Sequence, residues 1–372
     1  MQNNIGFGFK RSRDEIRKIK DFIEQTTGDL EQFACQTIKF DPDTHLTLRF
    51  SARKLDYFSR QTDKTQQNWG QMKLFICLLE FLTLFYKESR HPNPKLVYVG
   101  AAPGQGITLI ADMFPKFEFY LYDSQPFDQK LIDKSKESGS KITLYQRYFE
   151  DADVKEFAGQ ESVFFMSDIR SLGYNVETNL VTKAGEELVW NDMKLQESWV
   201  EQIKPEWAQL KFRPPYYDDI TKKMFGGDTF EYLSGLIFYQ SFVKPSSSET
   251  RLVINGKRLR KTSYSFKEYE KIITYHNTIV REMEFTKFYD PISGLDVVLE
   301  DRETGILPNW DITKSLWLIK TYLIKVGIQP TEDLVLGLMY KIDDYLIERG
   351  GALRETRGLK MKKLIGLKEL AK

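Results

Sequence analysis

The sequence predicts an α/β fold built on a doubly wound, mostly parallel sheet, and three segments carry that prediction. The first is an apolar run, Leu96 to Val99, which breaks into Gly100-Ala101-Ala102-Pro103-Gly104-Gln105-Gly106 and resumes as a helical pattern from Ile107 to Phe114. Strand, glycine turn and helix in that order open such sheets, and glycine at 100 and 104 lets the backbone turn tightly with no side chain in the way. The second is Phe117 to Tyr122, apolar and aromatic, closed by Asp123 at 23 positions beyond Gly100. That is about the separation at which these folds set a carboxylate on a ribose diol. The third is Ser162 to Met166, closed by Ser167-Asp168-Ile169-Arg170.

The remaining elements follow from periodicity. Residues 1 to 60 read as a helix, Arg13 to Glu24, with irregular or extended segments around it. Trp69 to Tyr86 is helical and nearly all apolar around Lys73, a lysine that either snorkels from a core helix or is held in a site. Candidate fourth and fifth strands run from Trp207 to Phe212, carrying Lys211, and from Thr250 to Asn255, preceded by Glu249. Ligands of open sheets sit beyond the carboxyl ends of the strands, so Asp123, Asp168, Lys211 and Glu249 are delivered to one crevice. Asp311 to Val326 and Thr331 to Glu348 are periodic helices, the second opened by Pro330-Thr331 and stopped by Gly350-Gly351. The expected division is an N-terminal extension over 1–60, a core over 61–310, and C-terminal helices with a basic tail over 311–372.

Composition narrows the class. With 372 residues, 41% hydrophobic, the chain can bury one large core with appendages. Cys35 and Cys77 give no disulfide framework and suit a reducing compartment. His45, His91 and His276 are dispersed and predict no metal site, each reading as structural. No apolar run has transmembrane length, and the polar start is unlike a signal peptide, so a soluble, intracellular protein is expected. A net charge of +1 conceals clusters at Lys10 to Lys20, at Lys257-Arg258-Leu259-Arg260-Lys261 and after Gly351. Affinity for nucleic acid follows where charge lies rather than its sum.

The glycine turn is not a GxGxxG fingerprint. Pro103 removes one amide, which suits a ligand without a pyrophosphate, and S-adenosylmethionine is the common one. Six strings then occur in one order between Leu55 and Val326: Gly70-Gln71-Met72-Lys73-Leu74, Val97-Tyr98-Val99-Gly100-Ala101-Ala102-Pro103-Gly104, Ser167-Asp168-Ile169-Arg170-Ser171, Leu210-Lys211-Phe212-Arg213-Pro214, Ser248-Glu249-Thr250-Arg251-Leu252 and Tyr269-Glu270-Lys271. On these the chain resembles the poxvirus family of cap-specific mRNA ribose 2′-O-methyltransferases, whose members also serve as the small subunit of a poly(A) polymerase. Bacterial and flaviviral ribose methyltransferases share the four polar residues. The resemblance implies the S-adenosylmethionine-dependent methyltransferase type of sheet and a catalytic set of Lys73, Asp168, Lys211 and Glu249.

In that scheme Lys211 deprotonates the 2′-hydroxyl, while burial and Lys73 favour its neutral form and Asp168 and Glu249 orient it. Donor contacts are implied for Gln71, Tyr98, Gly100, Gly104, Asp123, Asp168 and the backbone near Phe149. The family's arginine two residues after the strand-end aspartate is replaced here by Gln125. For a cap, whose 7-methylguanine carries a cationic ring, stacking is implied for Tyr57 and Tyr216, with Asp218 and Glu270 accepting from its amino edge. Arg213, Arg251, Lys257 and Arg258 are the expected RNA contacts. The implied partners are capped single-stranded RNA and a poly(A) polymerase or other transcription-complex subunit, with no membrane. Two alternatives stay open: a ribose methyltransferase of uncapped RNA, and an RNA-binding processivity subunit of a polymerase.

Overall fold

In the computed structural model, residues 40–56, 70–171, 183–216, 218–243, 247–284, 288–289, 296–297 and 310–349 are described. The helix expected over Arg13 to Glu24, the stacking candidate Tyr57 and the basic tail lie outside the described residues. Two compact units share the chain. One takes Cys77–Gln240 and Ser248–Glu270, and the other takes the described residues up to Ile76, those within Ser241–Ser247 and those from Lys271 onward.

The first unit holds the sheet. Five parallel strands, β1 (Lys95–Val99), β2 (Glu118–Tyr122), β3 (Ile142–Tyr145), β4 (Val163–Ser167) and β5 (Trp207–Phe212), are followed by β6 (Thr229–Leu233), β7 (Leu236–Phe238), β8 (Thr250–Ile254) and β9 (Lys261–Ser265). Seven of them form one sheet in the order β3-β2-β1-β4-β5-β8-β7, with β8 antiparallel to both neighbours, while β6 and β9 pair separately. The chain winds outward from β1 to β3 and then returns to β4 on the other side of β1. The switch point therefore lies between the carboxyl ends of β1 and β4, where ligands of such sheets bind.

Central strands are buried on both faces, as β4 and β8 show along their whole length. The helix α1 (Gly70–Phe85) contributes its part from Cys77 onward to this core: Phe81 meets Phe164 edge-on at 5.9 Å, and Phe85 lies 4.6 Å from Trp207. The helices α2 (Ile107–Met113), α3 (Gln129–Lys136), α4 (Asp151–Phe157), α5 (Lys183–Ile203) and α6 (Asp219–Phe225) complete the alternation. Among the described residues no helix is long and apolar enough to cross a membrane.

Two differences from the sequence reading matter. Ser162 to Met166 belongs to the fourth strand, not the third, because Ile142–Tyr145 precedes it at the sheet edge. That strand has four residues, of which only Ile142 is buried, so it leaves no apolar run to recognise. Thr250 to Asn255 runs antiparallel to β5, which reverses the expected position of everything that follows it.

The second unit is mostly helical. It holds the start of α1, the end of α7 (Phe266–Tyr275) with its π-type continuation His276–Glu284, and the helices α8 (Trp310–Lys325) and α9 (Glu332–Ile347). Arg281 ties it together: its guanidinium forms a paired contact with Asp311 at 3.0 and 2.6 Å and also donates to Asn277 and the Val243 carbonyl. His276 stands edge-on to Trp310 at 4.6 Å and is buried. Burial, reinforced by Arg281 and Lys314, holds its pKa well below the ordinary imidazole value. The unfolded chain takes up a proton near that ordinary value and the folded one does not, so stability is whole at neutral pH and declines as pH falls below about 6.5. The expected loss from this group is about 1.4 kcal/mol per pH unit. Urea unfolding of the parent protein and His276→Gln checks this: the gap between them should narrow from pH 7 to pH 5, and a constant gap contradicts it.

Candidate active site at the carboxyl edge of the sheet

The loop leaving β1 is shaped by contact with its neighbours. Gly100 has φ +81°, and a Cβ there would stand 3.0 Å from the Asp168 carbonyl carbon and the Ile169 nitrogen. Glycine is thus required both for the backbone conformation and for the close approach of the first and fourth strand ends. The Gly100 and Ala101 amides donate to the Tyr122 carbonyl, and Asp168 N donates to the Val99 carbonyl at 2.9 Å. Gly104, at φ +69°, would carry a Cβ 2.7 Å from Leu131 Cδ2. Asp123 receives the Ala102 amide on Oδ2 at 2.9 Å and the Gln125 amide on Oδ1 at 2.8 Å, so the β2 carboxylate also pins the glycine loop.

The other expected donor contacts fall into three kinds. Phe149 is packed edge-on against Tyr122 and Trp199 at 4.8 and 5.2 Å, leaving its backbone rather than its ring at the edge. Tyr98 is 2% exposed. Its hydroxyl is buried, and burial followed by Asp168 pushes its pKa far up. The Tyr98 ring is therefore core, so a donor contact at this position falls to its backbone. Gln71 and Lys73 lie in the first turn of α1, half-buried, within the helical unit.

Beside the loop four charges meet. Lys211 Nζ lies 3.2 Å from Asp168 Oδ1 and 3.5 Å from Glu249 Oε2. Arg251 Nη2 lies 2.6 Å from the same Asp168 oxygen and 3.4 Å from Glu249 Oε1. The side chains of Lys211, Asp168 and Glu249 are 9%, 11% and 13% exposed and that of Arg251 only 1%, so two carboxylates are divided between two cations almost out of water. The sheet explains the convergence. Lys211 and Arg251 are register partners across β5 and β8, and Glu249, two residues before Arg251, enters from the amino end of the antiparallel strand.

Arg251 is thus corrected from an RNA contact to an internal counter-charge. Burial alone would lower its pKa, but Asp168 and Glu249 hold it above the ordinary guanidinium value. Gln240 completes the group: with its amide nitrogen toward Glu249 Oε1 at 3.1 Å, its oxygen accepts from Arg251 Nη2 and Nε at 2.9 and 3.2 Å. Tyr269 fixes the backbone around Glu249, donating to the Ser248 carbonyl at 2.5 Å and meeting Thr250 Oγ1 at 2.9 Å. Gln240 was not singled out by the sequence reading, and Tyr269 entered only as the first residue of the string Tyr269-Glu270-Lys271, with no role of its own. Glu249-Thr250-Arg251 did carry a signal, because alternate residues of a strand share a face.

Arg213 forms a paired contact with Glu186 of α5 at 3.1 and 3.0 Å and lies 4.5 Å over the Tyr216 ring, while the Tyr216 amide donates to Glu186 at 2.9 Å. One face of Tyr216 is therefore covered by a guanidinium that a buried carboxylate holds in place. Asp218 is exposed and caps α6, accepting from Thr221 N at 2.7 Å. Glu270 is half-buried on α7. Lys257 and Arg258 are exposed, but they lie beyond the far end of β8, beside Glu206, where Lys257 Nζ is 3.7 Å from its carboxylate. β8 pairs Ile254 with Ala208 at the start of β5, so these two basic residues sit at the opposite edge of the sheet from Asp168 and Glu249. Five residues of strand separate the two edges by about 17 Å, so these expected RNA contacts lie away from the crevice.

A seven-stranded, mostly parallel doubly wound sheet with carboxylates at its switch point defines an α/β protein of the open-sheet class. The model of the family described as poly(A) polymerase regulatory subunit matches residues 50–323. The chain belongs to that family. Cap-specific mRNA (nucleoside-2′-O-)-methyltransferases of Myxoma virus, strains Lausanne and Uriarra, are each 27% identical over 240 residues, 61% of this chain and 66% of theirs. The chain thus spans just under two thirds of the length of the curated relatives it matches. A solved structure of bluetongue virus VP4, described as a multifunctional RNA-capping production line, aligns at 13% identity with a TM-score of 0.37, covering 72% of this chain and 41% of that one. At that score the likeness carries no argument.

Proposed function

We propose that the chain is an S-adenosylmethionine-dependent methyltransferase acting on the ribose 2′-hydroxyl of the first transcribed nucleotide of capped RNA. The observation that carries this reading is Lys211, set between Asp168 and Glu249 at the carboxyl edge of the sheet. Membership of a family whose relatives are named for this reaction supports it.

The residues at the switch point fit the donor. The loop Gly100-Ala-Ala-Pro-Gly-Gln-Gly106 carries no lysine or arginine to cradle a pyrophosphate, while Asp123 and Asp168 offer carboxylates suited to a ribose diol and a nearby cation. S-adenosylmethionine, when bound, supplies a methyl group already activated on a sulfonium. The protein must then orient the acceptor and remove one proton. Lys211 in its neutral form would take the proton from the 2′-hydroxyl, and Asp168 and Glu249 would hold the resulting ammonium. Arg251 shares the same oxygen of Asp168 with Lys211, so that carboxylate is divided between two cations. Lys73 is assigned as a further cation favouring the developing alkoxide, and Gln71 as a donor contact, by the motif they share with the family.

The cap reading assigns Tyr216 to stacking and Asp218 and Glu270 to the amino edge of the guanine. The Arg213 guanidinium already lies against one face of Tyr216. A ribose methyltransferase of uncapped RNA would need none of these three. The family description also favours a second role as a regulatory subunit of a poly(A) polymerase, with RNA binding common to both.

Lys211→Ala is expected to leave donor and cap binding near parental values and to remove most turnover, a barrier increase of about 2 kcal/mol or more. Single-turnover methyl transfer measures it, and activity within threefold of the parent contradicts the assignment. For the cap, Tyr216→Ala should weaken 7-methylated cap analogue far more than unmethylated guanosine, with Trp or Phe retaining most affinity. Asp218→Asn should weaken both ligands alike, and since Asn also caps helices well, it isolates the charge from the fold. Calorimetry with the two ligands checks these, and equal losses at Tyr216 would mean a packing residue.

A further inference from the structure

Arg170 stands two residues beyond Asp168, at the same edge of the sheet as Lys211, and the arrangement described so far makes no use of it. Its Nη1 is buried with no hydrogen-bond partner, and its guanidinium has no ion pair among the described residues. Among the described residues the nearby carboxylates are already committed. Asp168 and Glu249 hold Lys211 and Arg251. Glu186 holds Arg213. Asp192 receives the Ser171 amide and hydroxyl at 2.7 and 2.8 Å, which fixes the turn that follows Arg170.

An arginine cannot escape such a place by losing its proton. Burial, followed by the like charge of Arg213, lowers the Arg170 pKa, while Glu249, Asp192 and Asp168 oppose the shift. A guanidinium kept charged and half-buried, with no ion pair among the described residues, is matched by an anion, and its planar fork suits a phosphate or a carboxylate.

We propose that Arg170 is a phosphate-binding residue that receives a phosphodiester of the RNA chain beside the target ribose. The proposal rests on the reading of the crevice as an RNA ribose methyltransferase site. The rival source of the same chemistry is the carboxylate of the methyl donor, and the two are separated by measuring each ligand alone.

The experiment uses the full chain and a 5′-capped oligoribonucleotide labelled at its 3′ end, with affinity followed by fluorescence anisotropy across a potassium chloride series. Arg170→Gln should weaken RNA binding about tenfold at low salt and lower the slope of log affinity against log salt by about one. Donor affinity by calorimetry should stay within twofold of the parent. Arg170→Lys should restore the slope and only part of the affinity, since it keeps the charge and loses the fork. A neutral methylphosphonate placed on the 3′ side of the first nucleotide should weaken binding to the parent protein, yet make no further difference to Arg170→Gln. An unchanged affinity and slope in a variant that melts like the parent overturns the proposal. So does a loss confined to the donor, which would assign the anion to its carboxylate. Should Arg170→Gln fail to fold, the methylphosphonate RNA on the parent protein and on Arg170→Lys decides, and indifference to it overturns the idea. Binding is read without methyl transfer. A parent that binds in this way and transfers no methyl sinks the enzyme reading alone, whereas methyl transfer with a parental salt slope in Arg170→Gln sinks this proposal alone.

Discussion

Two carboxylates, Asp168 and Glu249, divided between Lys211 and Arg251 form the contact on which the arrangement of the crevice depends. Each cation touches both acids, and one oxygen of Asp168 serves both cations. Charges this poorly exposed persist only when matched, since removing one partner strands another away from water at a cost of about 3–5 kcal/mol. The set is balanced in sign. Balance also has a chemical consequence: a lysine facing two carboxylates alone is held charged, whereas one that shares them with a permanent cation can give up its proton at lower cost.

The backbone is organised to deliver this group. β4 and β5 run parallel and bring Asp168 and Lys211 to one edge, while β8 runs back against β5 so that Glu249 enters from its start and Arg251 lies across from Lys211. The Tyr269 hydroxyl binds the Ser248 carbonyl and meets Thr250, holding the backbone on both sides of Glu249. Gly100 permits the first loop to touch Asp168 from the other side. A single strand reversal thus accounts for both the charge cluster and the displacement of Lys257 and Arg258 to the opposite edge.

Much of this was legible in the sequence, for identifiable reasons. Buried strands such as Val163–Ser167 and Trp207–Phe212 are apolar runs, and Gly100 with Asp123 marks the first crossover by spacing alone. Ile142–Tyr145 escaped notice because an edge strand buries little and needs no apolar run. Strand direction is set by pairing partners rather than by local composition, so the antiparallel course of β8 was invisible and its trailing basic residues were misplaced. Arg251 was expected to contact RNA, whereas its contacts with Asp168 and Glu249 bury it in the sheet. Gln240 and Glu186 act through partners 11 and 27 positions away, on Arg251 and Arg213, and no local pattern announces such pairs.

The account stands or falls on the atom that receives the methyl group. Transfer from labelled S-adenosylmethionine to two capped RNAs, identical except that the first transcribed nucleotide carries a 2′-hydroxyl in one and a 2′-hydrogen in the other, tests this most directly. Label should enter the first RNA, and nuclease digestion should recover it on the ribose of that nucleotide, while the deoxy RNA stays unlabelled. Equal labelling of both RNAs, or label recovered on a base or on the cap guanine, would contradict the assignment of Lys211 and its carboxylates to a ribose hydroxyl.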